Sequence, residues 1–392
     1  MPIAPEQIVA LIDSPYRDEI PKWDELPKEP LQRVTLLRKS FPQDIVPVLL
    51  ELSELRHRAK AKFSRAEAMF FDREALEQAT SEEIARNRAG QFHGLAGSIA
   101  DLTCGNGGDM LALASQNDGS HFACDISEAR VRITQSNFEA LYPDMLPDVT
   151  FRVAPADDYP QADAYFIDPS RRSTGSRSRH LTNMSPSIDL VLALAHRAKT
   201  MAVKLSPATP DEELALLGGR VEFISHKGEC KEAVVWYGPA GPSSYRSANI
   251  SGAYRINVSP ATPDPQKSEP LAYILEPDPA IIRAGLIPEL CHEIDAAVMD
   301  PQIAYLTSES PVDSPFVATY EVLASLSLSV KTIKGALRDL EIGQVDVKKR
   351  GVAQEVDDIR KQVKSDLPGR GVVILTRLGE KARAFICRAL PR

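Results

Sequence analysis

The chain has 392 residues, 43% of them hydrophobic and 26% charged, which is room for two or three domains and excludes a disordered or fibrous chain. No apolar run reaches the roughly 18 residues of a membrane helix, and Met1-Pro2-Ile3-Ala4-Pro5-Glu6 has neither the basic nor the apolar stretch of a secretory signal, so a cytoplasmic protein is expected. A net charge of −8 argues against an indiscriminate nucleic-acid binder but leaves room for local basic patches.

Residues 1–92 read as a helical domain. Ile45, Val48, Leu49, Leu52 and Leu55 recur at helical spacing between Asp44 and Lys62, and the stretch ends in the basic run Arg56-His57-Arg58-Ala59-Lys60-Ala61-Lys62. Its plainest reading is a solvated helix face. A further helix is expected from Glu74 to Arg88.

Residues 93–240 alternate strands and helices. Strands are predicted at 98–102, 121–125, 149–154, 163–168, 200–206, 221–226 and 232–238, and helices at 108–116, 127–141, 185–199 and 210–217. Apolar strands separated by helices predict a parallel sheet covered on both faces. Only Lys227 to Lys231 separates the last two strands, too few residues for a crossover helix, so that pair must be an antiparallel hairpin. Residues 241–270, rich in Gly, Pro and Ser, read as a linker, with Tyr254–Val258 a possible short strand. Residues 271–392 read as a smaller α/β domain. Its expected strands are Tyr273–Leu275, Ile303–Leu306, Tyr320–Ser325, Ile342–Lys348 and Gly371–Arg377, with helices at 279–286, 331–340 and 355–363. Cys104, Cys124, Cys230, Cys291 and Cys387 are scattered and form no C-x-x-C, so neither a zinc site nor a disulfide framework is expected.

The chemistry gathers at three strand ends. Asp101-Leu102-Thr103-Cys104-Gly105-Asn106-Gly107-Gly108-Asp109 is a strand, a glycine turn and a helix start. Such a turn lets a ligand approach the backbone and offers it free helix N–H groups. The next strand ends in Asp125, placed to hold two ribose hydroxyls. The last glycine of the dinucleotide fingerprint is missing after Gly105 and Gly107, and Asp101 would repel a pyrophosphate but not a cationic amino-acid moiety. S-adenosylmethionine satisfies both conditions. Its candidate ligands are Asp101, Thr103, Gly105, Gly107, Asp125, Ile126 against the adenine face, and Asp157 for the adenine amino group. The fourth strand ends in Asp168-Pro169-Ser170-Arg171, where Asp168 and the Pro169 carbonyl can grip an exocyclic amine and aim its lone pair at the methyl sulfonium. Arg171, Arg172, Arg177 and Arg179 follow in a run without acids, suited to substrate phosphates, and Lys348, Lys349 and Arg350 form a second basic group.

The glycine turn, the acid ending the second strand and the seven-strand count with its last strand antiparallel resemble a class I S-adenosylmethionine-dependent methyltransferase with a Rossmann-like sheet. More narrowly, Leu76–Thr80, Ala85–Ala89, Asp101–Asp109, Phe166–Arg172, Glu276-Pro277-Asp278, Ala304–Thr307, Lys348–Val352 and Thr376-Arg377 resemble bacterial methyltransferases with a C-terminal THUMP-like domain. The core is also distantly similar to RNA-cap guanine-N2 methyltransferases, which carry Pro-Pro-Trp where this chain has Asp168-Pro169-Ser170-Arg171. The resemblance implies S-adenosylmethionine as cofactor. It also implies RNA as a partner, tRNA or rRNA, since true THUMP domains bind tRNA. Methyl transfer to a base nitrogen of RNA is the leading expectation, with no metal. Transfer to a protein or small molecule, and cofactor binding without turnover, stay open beside it.

Overall fold

The computed structural model describes residues 3–171, 181 and 184–391. They form two compact units, one of residues up to 222 with 232–243, the other of 223–231 with those from 244 on.

The first unit begins with five helices, α1 (Pro5–Ile12), α2 (Pro30–Leu37), α3 (Val46–Ala59), α4 (Arg73–Gln78) and α5 (Glu82–Gly90). The periodic residues of α3, Val48, Leu49 and Leu52, pack against Ile8 and Leu11 of α1, with Phe70 and Ile133 completing the cluster. The basic run at the end of α3 is occupied within the chain. Arg56 donates to the Met69 carbonyl at 2.8 Å, and Arg58 and Lys60 pair with Glu77 and Glu67 at 3.3 and 2.9 Å. Lys62 donates to the carbonyls of Leu76, Glu77 and Ala79 and so caps the open end of α4.

Seven strands of a nine-stranded sheet are β1 (Ser98–Asp101), β2 (Ser120–Asp125), β3 (Val149–Val153), β4 (Ala164–Ile167), β5 (Thr200–Leu205), β6 (Arg220–His226) and β7 (Glu229–Tyr237). Helices α6 (Gly108–Gln116), α7 (Glu128–Leu141), α8 (Ile188–Ala195) and α9 (Asp211–Leu216) alternate with them. The strands lie in the order β3-β2-β1-β4-β5-β7-β6. The pairs among β3, β2, β1, β4 and β5 are parallel, whereas β7 runs antiparallel to β5. This is the Rossmann-like methyltransferase sheet expected from the sequence. β6 turns into β7 through Lys227 and Gly228, both at positive φ, the conformation of a tight hairpin whose twist matches its strands. Asp101 lies level with Ala123 of β2 and Phe166 of β4, so β1, β2 and β4 end along one edge. Ligands of doubly wound sheets bind beyond that edge.

In the second unit the stretch expected as a linker contains a hairpin, β8 (Arg246–Ile250) with β9 (Tyr254–Asn257). Burial of Ala248, Ile250 and Ile256 explains it, and Ser251 donates to Ser225 at 2.8 Å beyond the end of β8. After it come β10 (Tyr273–Pro277), α10 (Pro279–Ala284), α11 (Ile287–Ile294), β11 (Ala297–Asp300), β12 (Ile303–Ser308) and β13 (Val317–Ser327). α12 (Val330–Asp339), β14 (Ile342–Lys349), α13 (Val356–Val363), β15 (Gly369–Leu378) and β16 (Lys381–Ala389) complete it. These strands make a seven-stranded sheet, β11-β12-β10-β13-β16-β15-β14. Ile333 and Leu337 of α12 and Ile359 and Val363 of α13 cover one face, against Val373, Leu375 and Ile386. Tyr305, Tyr320, Ile374 and Phe385 form a second cluster in the same sheet. No described helix is long and apolar enough to cross a membrane.

Candidate active site

A cleft of about 430 Å³ opens at the carboxyl edge of β1, β2 and β4. That volume is in the range of small-molecule sites. Its walls include Thr103, Gly105, Asp125, Ile126, Asp157, Asp168 and Pro169, so the structure gathers seven residues singled out from sequence around one space.

The glycine turn is fixed from behind. Gly107 has φ +84° and caps α6, and a Cβ there would lie 2.8 Å from Thr134 Cγ2. Thr134 Oγ1 in turn donates to the Gly105 carbonyl at 2.9 Å. A side chain at Gly107 would therefore clash inside the turn itself. Asp125 accepts from the backbone N–H of Gly105 at 3.0 Å and of Ser127 at 2.9 Å, one on each oxygen. Its carboxylate is locked in place, with lone pairs to spare on both oxygens.

Asp101 sits one residue behind the wall, fully buried. One of its oxygens accepts from the Thr103 N–H at 2.9 Å, and Oδ2 has no partner among the described residues. Burial, and then the neighbouring charge of Asp109, push its carboxyl well above the ordinary range. Thr103 joins the two strand ends, since its hydroxyl accepts from the backbone N–H of Asp168 at 2.7 Å.

Asp168 forms an ion pair with Lys204, a residue of β5 that sequence reasoning missed. Lys204 is 12% exposed and Asp168 33%, so the pair runs from the interior to the cleft. Beneath it Arg88 of α5, 2% exposed, pairs with Asp109 and Glu232 and stacks on Phe166 at 4.6 Å. Burial opposes the charge on Lys204, but the carboxylates of Asp168, Asp109 and Glu232 raise its pKa on balance. The signal was present in the sequence as a charge inside an apolar strand, Met201-Ala202-Val203-Lys204-Leu205.

The opposite wall comes from the N-terminal region. Phe63, Phe71, Ala75, Gln78, Ala79 and Thr80 all line the cleft. The rings of Phe63 and Phe71 lie 5.5 Å apart, and buried Asn137 ties the adjoining Phe70 to the glycine turn by bonding its backbone N–H and carbonyl and the Asn106 carbonyl. Ile126 is 68% exposed on the cleft wall, an apolar surface open to a flat ring. Asp157 is exposed there too. Arg171 lies in a short strand pair with Met184, while Arg172, Arg177 and Arg179 fall outside the described residues.

The description "Methyltransferase domain" matches residues 99–167, and "THUMP domain-like" matches 317–389. An uncharacterised S-adenosylmethionine-dependent methyltransferase of Mycobacterium tuberculosis, in strain CDC 1551 and in strain H37Rv, is 31% identical over 369 residues. That alignment covers 88% of this chain and 98% of each relative. The chain belongs to the S-adenosylmethionine-dependent methyltransferases. A crystal structure of a methyltransferase candidate from Porphyromonas gingivalis W83 shares the fold, with a TM-score of 0.72 at 17% identity over 100% of both chains.

The cofactor of this methyltransferase is therefore S-adenosylmethionine, and the cleft suits it. The cofactor carries an ammonium and a sulfonium against one carboxylate. Asp125 and Asp168 line the space, and Asp101 lies behind it with its buried Oδ2 without a partner among the described residues. A net cation relieves that imbalance, and a pyrophosphate would worsen it.

The basic group in the second unit is not free. Lys348 and Arg350 share Glu276 at 2.7 and 3.2 Å, and Lys349 meets Glu355 at 3.1 Å. Arg350 also donates to the Ala304 carbonyl and lies over the Tyr305 ring. Each residue of the triplet that the sequence offered for substrate binding thus has an acidic partner inside its own unit.

Proposed function

We propose that this methyltransferase modifies a base nitrogen of RNA. The observation that carries the reading is the Asp168 carboxylate on the cleft wall, with one oxygen on Lys204 and the other without a partner among the described residues. An acceptor that meets such an oxygen donates a hydrogen bond to it, as an amine N–H does. The THUMP domain-like match supports a nucleic-acid partner.

In this reading Thr103, Gly105, Asp125, Ile126 and Asp157 hold the cofactor, with Asp101 balancing its positive charge from behind. Bound there, the cofactor supplies an electrophilic methyl group whose C–S bonding electrons return to sulfur on transfer. Asp125 holds ribose hydroxyls and Ile126 covers the adenine ring. Asp168 accepts a hydrogen bond from the amine, so the nitrogen lone pair points at the methyl carbon. As the N–C bond forms, the nitrogen's proton leaves to the Asp168 carboxylate and then to water at its exposed edge. Pro169 accepts a second amine N–H on its carbonyl. Arg171, Arg172, Arg177 and Arg179 hold substrate phosphates.

Mass spectrometry of nucleosides from total RNA, with and without the gene, tests this. One methylated nucleoside should disappear in the deletion strain and return when purified enzyme and cofactor are added to its RNA. An unchanged nucleoside profile overturns the RNA reading. Transfer to a protein or small molecule is the second reading, favoured by the net charge of −8 and by the pairing of Lys348, Lys349 and Arg350 with acids.

A further inference from the structure

Burying an ammonium is costly, and Lys204 stands in a strand whose neighbours Ala202, Val203 and Leu205 are apolar and buried. Stability does not account for it, because an apolar side chain at such a position is often neutral or better. The groups facing it from the surrounding elements are Asp168 beyond β4, Asp109 of α6, Glu232 of β7 and Arg88 of α5. Arg88 is already engaged by Asp109 and Glu232, which leaves Lys204 as the described cation that meets Asp168. Among the described residues Lys204 does not line the cleft, whereas its partner Asp168 does.

We propose that Lys204 is a positioning residue for methyl transfer: it clamps Oδ2 of Asp168 and thereby presents Oδ1 to the acceptor. The proposal rests on the reading that Asp168 orients the acceptor. It adds that the carboxylate does this only while its rotamer is fixed from beneath. A 1 Å displacement of such a group costs about 100-fold in rate.

The test uses full-length wild type, Lys204→Met, Lys204→Arg, Asp168→Ala and the Lys204→Met/Asp168→Ala double variant. Each receives tritiated S-adenosylmethionine and extract from a strain lacking the gene, where the natural acceptor is present unmethylated. Nuclease and protease digestion of the labelled product identify that acceptor as RNA or protein. Calorimetry with S-adenosylhomocysteine and thermal unfolding accompany the rates. Lys204→Met should lose about 100-fold in rate at saturating cofactor while cofactor affinity stays within about threefold. Lys204→Arg should recover at least about tenfold of that, and the double variant should be no slower than Asp168→Ala alone. Losses that multiply in the double variant, or a Lys204→Met protein as fast as wild type while Asp168→Ala is inactive, overturn the Lys204 role. A cofactor affinity in Lys204→Met that falls in step with its rate overturns it too, as a purely structural effect. An active Asp168→Ala protein instead removes Asp168 from the site, and Lys204 with it. Label in protein rather than RNA removes only the RNA reading.

Discussion

Asp125 enters the site already held by two backbone N–H groups, so cofactor binding pays nothing to orient it. Asp125→Ala should weaken S-adenosylmethionine by about tenfold to a hundredfold, the effect of losing charge-assisted bonds worth about 1.5–3 kcal/mol. Calorimetry reads this directly, and unchanged affinity would remove the ribose role. Gly107→Ala should destabilise the protein by about 2–3 kcal/mol in urea unfolding, since it combines left-handed backbone with a clash against Thr134. Adding Thr134→Ser, which deletes the clashing methyl group, should restore part of that loss; no recovery would mean that backbone strain alone is responsible. The acids at the cleft were legible because Asp101, Asp125 and Asp168 each close an apolar run where a strand must end. The cations beneath them were not, because Lys204 and Arg88 meet partners 36 and 21 residues away in sequence. Periodicity carries no trace of such a pairing. Nor could the sequence say that Gly107 answers to Thr134, or that Phe63 and Phe71 of the N-terminal region would line the cleft.

Arg88 is one of the side chains that tie helix α5 to the sheet. Arg88 bridges the start of α6 and the middle of β7 while lying over Phe166 of β4. Removing one partner of a buried ionic cluster strands the others, which costs about 3–5 kcal/mol. Arg88→Met should lose that much in urea unfolding, and Arg88→Met/Glu232→Met, which leaves Asp109 with fewer buried neighbours of like charge, should lose less. An Arg88→Met protein within about 1 kcal/mol of wild type would show that the cluster is not a keystone of the fold. At this scale the sequence was a good guide. Alternation of apolar strands and helices set the parallel sheet, and the brevity of 227–231 set its antiparallel end. The misses have local causes. The helix expected from 185 begins at Ile188 because Pro186 cannot continue it backwards and the Ser187 side chain caps it, accepting from the Leu190 N–H. The hairpin of β8 and β9 was mostly hidden in residues rich in Gly, Pro and Ser, since its inward positions are few and small.

For the whole molecule the open question is what the methyl group is delivered to, and charge is the lever that distinguishes the answers. Each phosphate neutralised by a side chain adds about 0.7–0.9 to the salt slope of binding. Arg171, Arg172, Arg177 and Arg179 follow Asp168 with no acid among them, so on the RNA reading each should contribute close to one such increment. Lys348, Lys349 and Arg350 look equally basic in sequence, yet they spend their charge on Glu276 and Glu355. Glu276 shows the strength of that arrangement: burial alone would raise its pKa, but the hydrogen bond and charge of Lys348, with Arg350, bring it below the ordinary glutamate value. Replacing the triplet with glutamines should therefore leave the RNA salt slope nearly unchanged and lower stability instead, because Glu276 would be left half-buried without a counter-charge. Replacing the four arginines should flatten the slope. Fluorescence anisotropy with bulk tRNA and with rRNA fragments, between about 50 and 200 mM salt, reads both arms. A slope that collapses with the triplet would mean that RNA displaces Glu276 and Glu355 on binding. A wild type with no salt-dependent binding to either RNA would move the acceptor to a protein or a small molecule, in keeping with a chain whose net charge is −8.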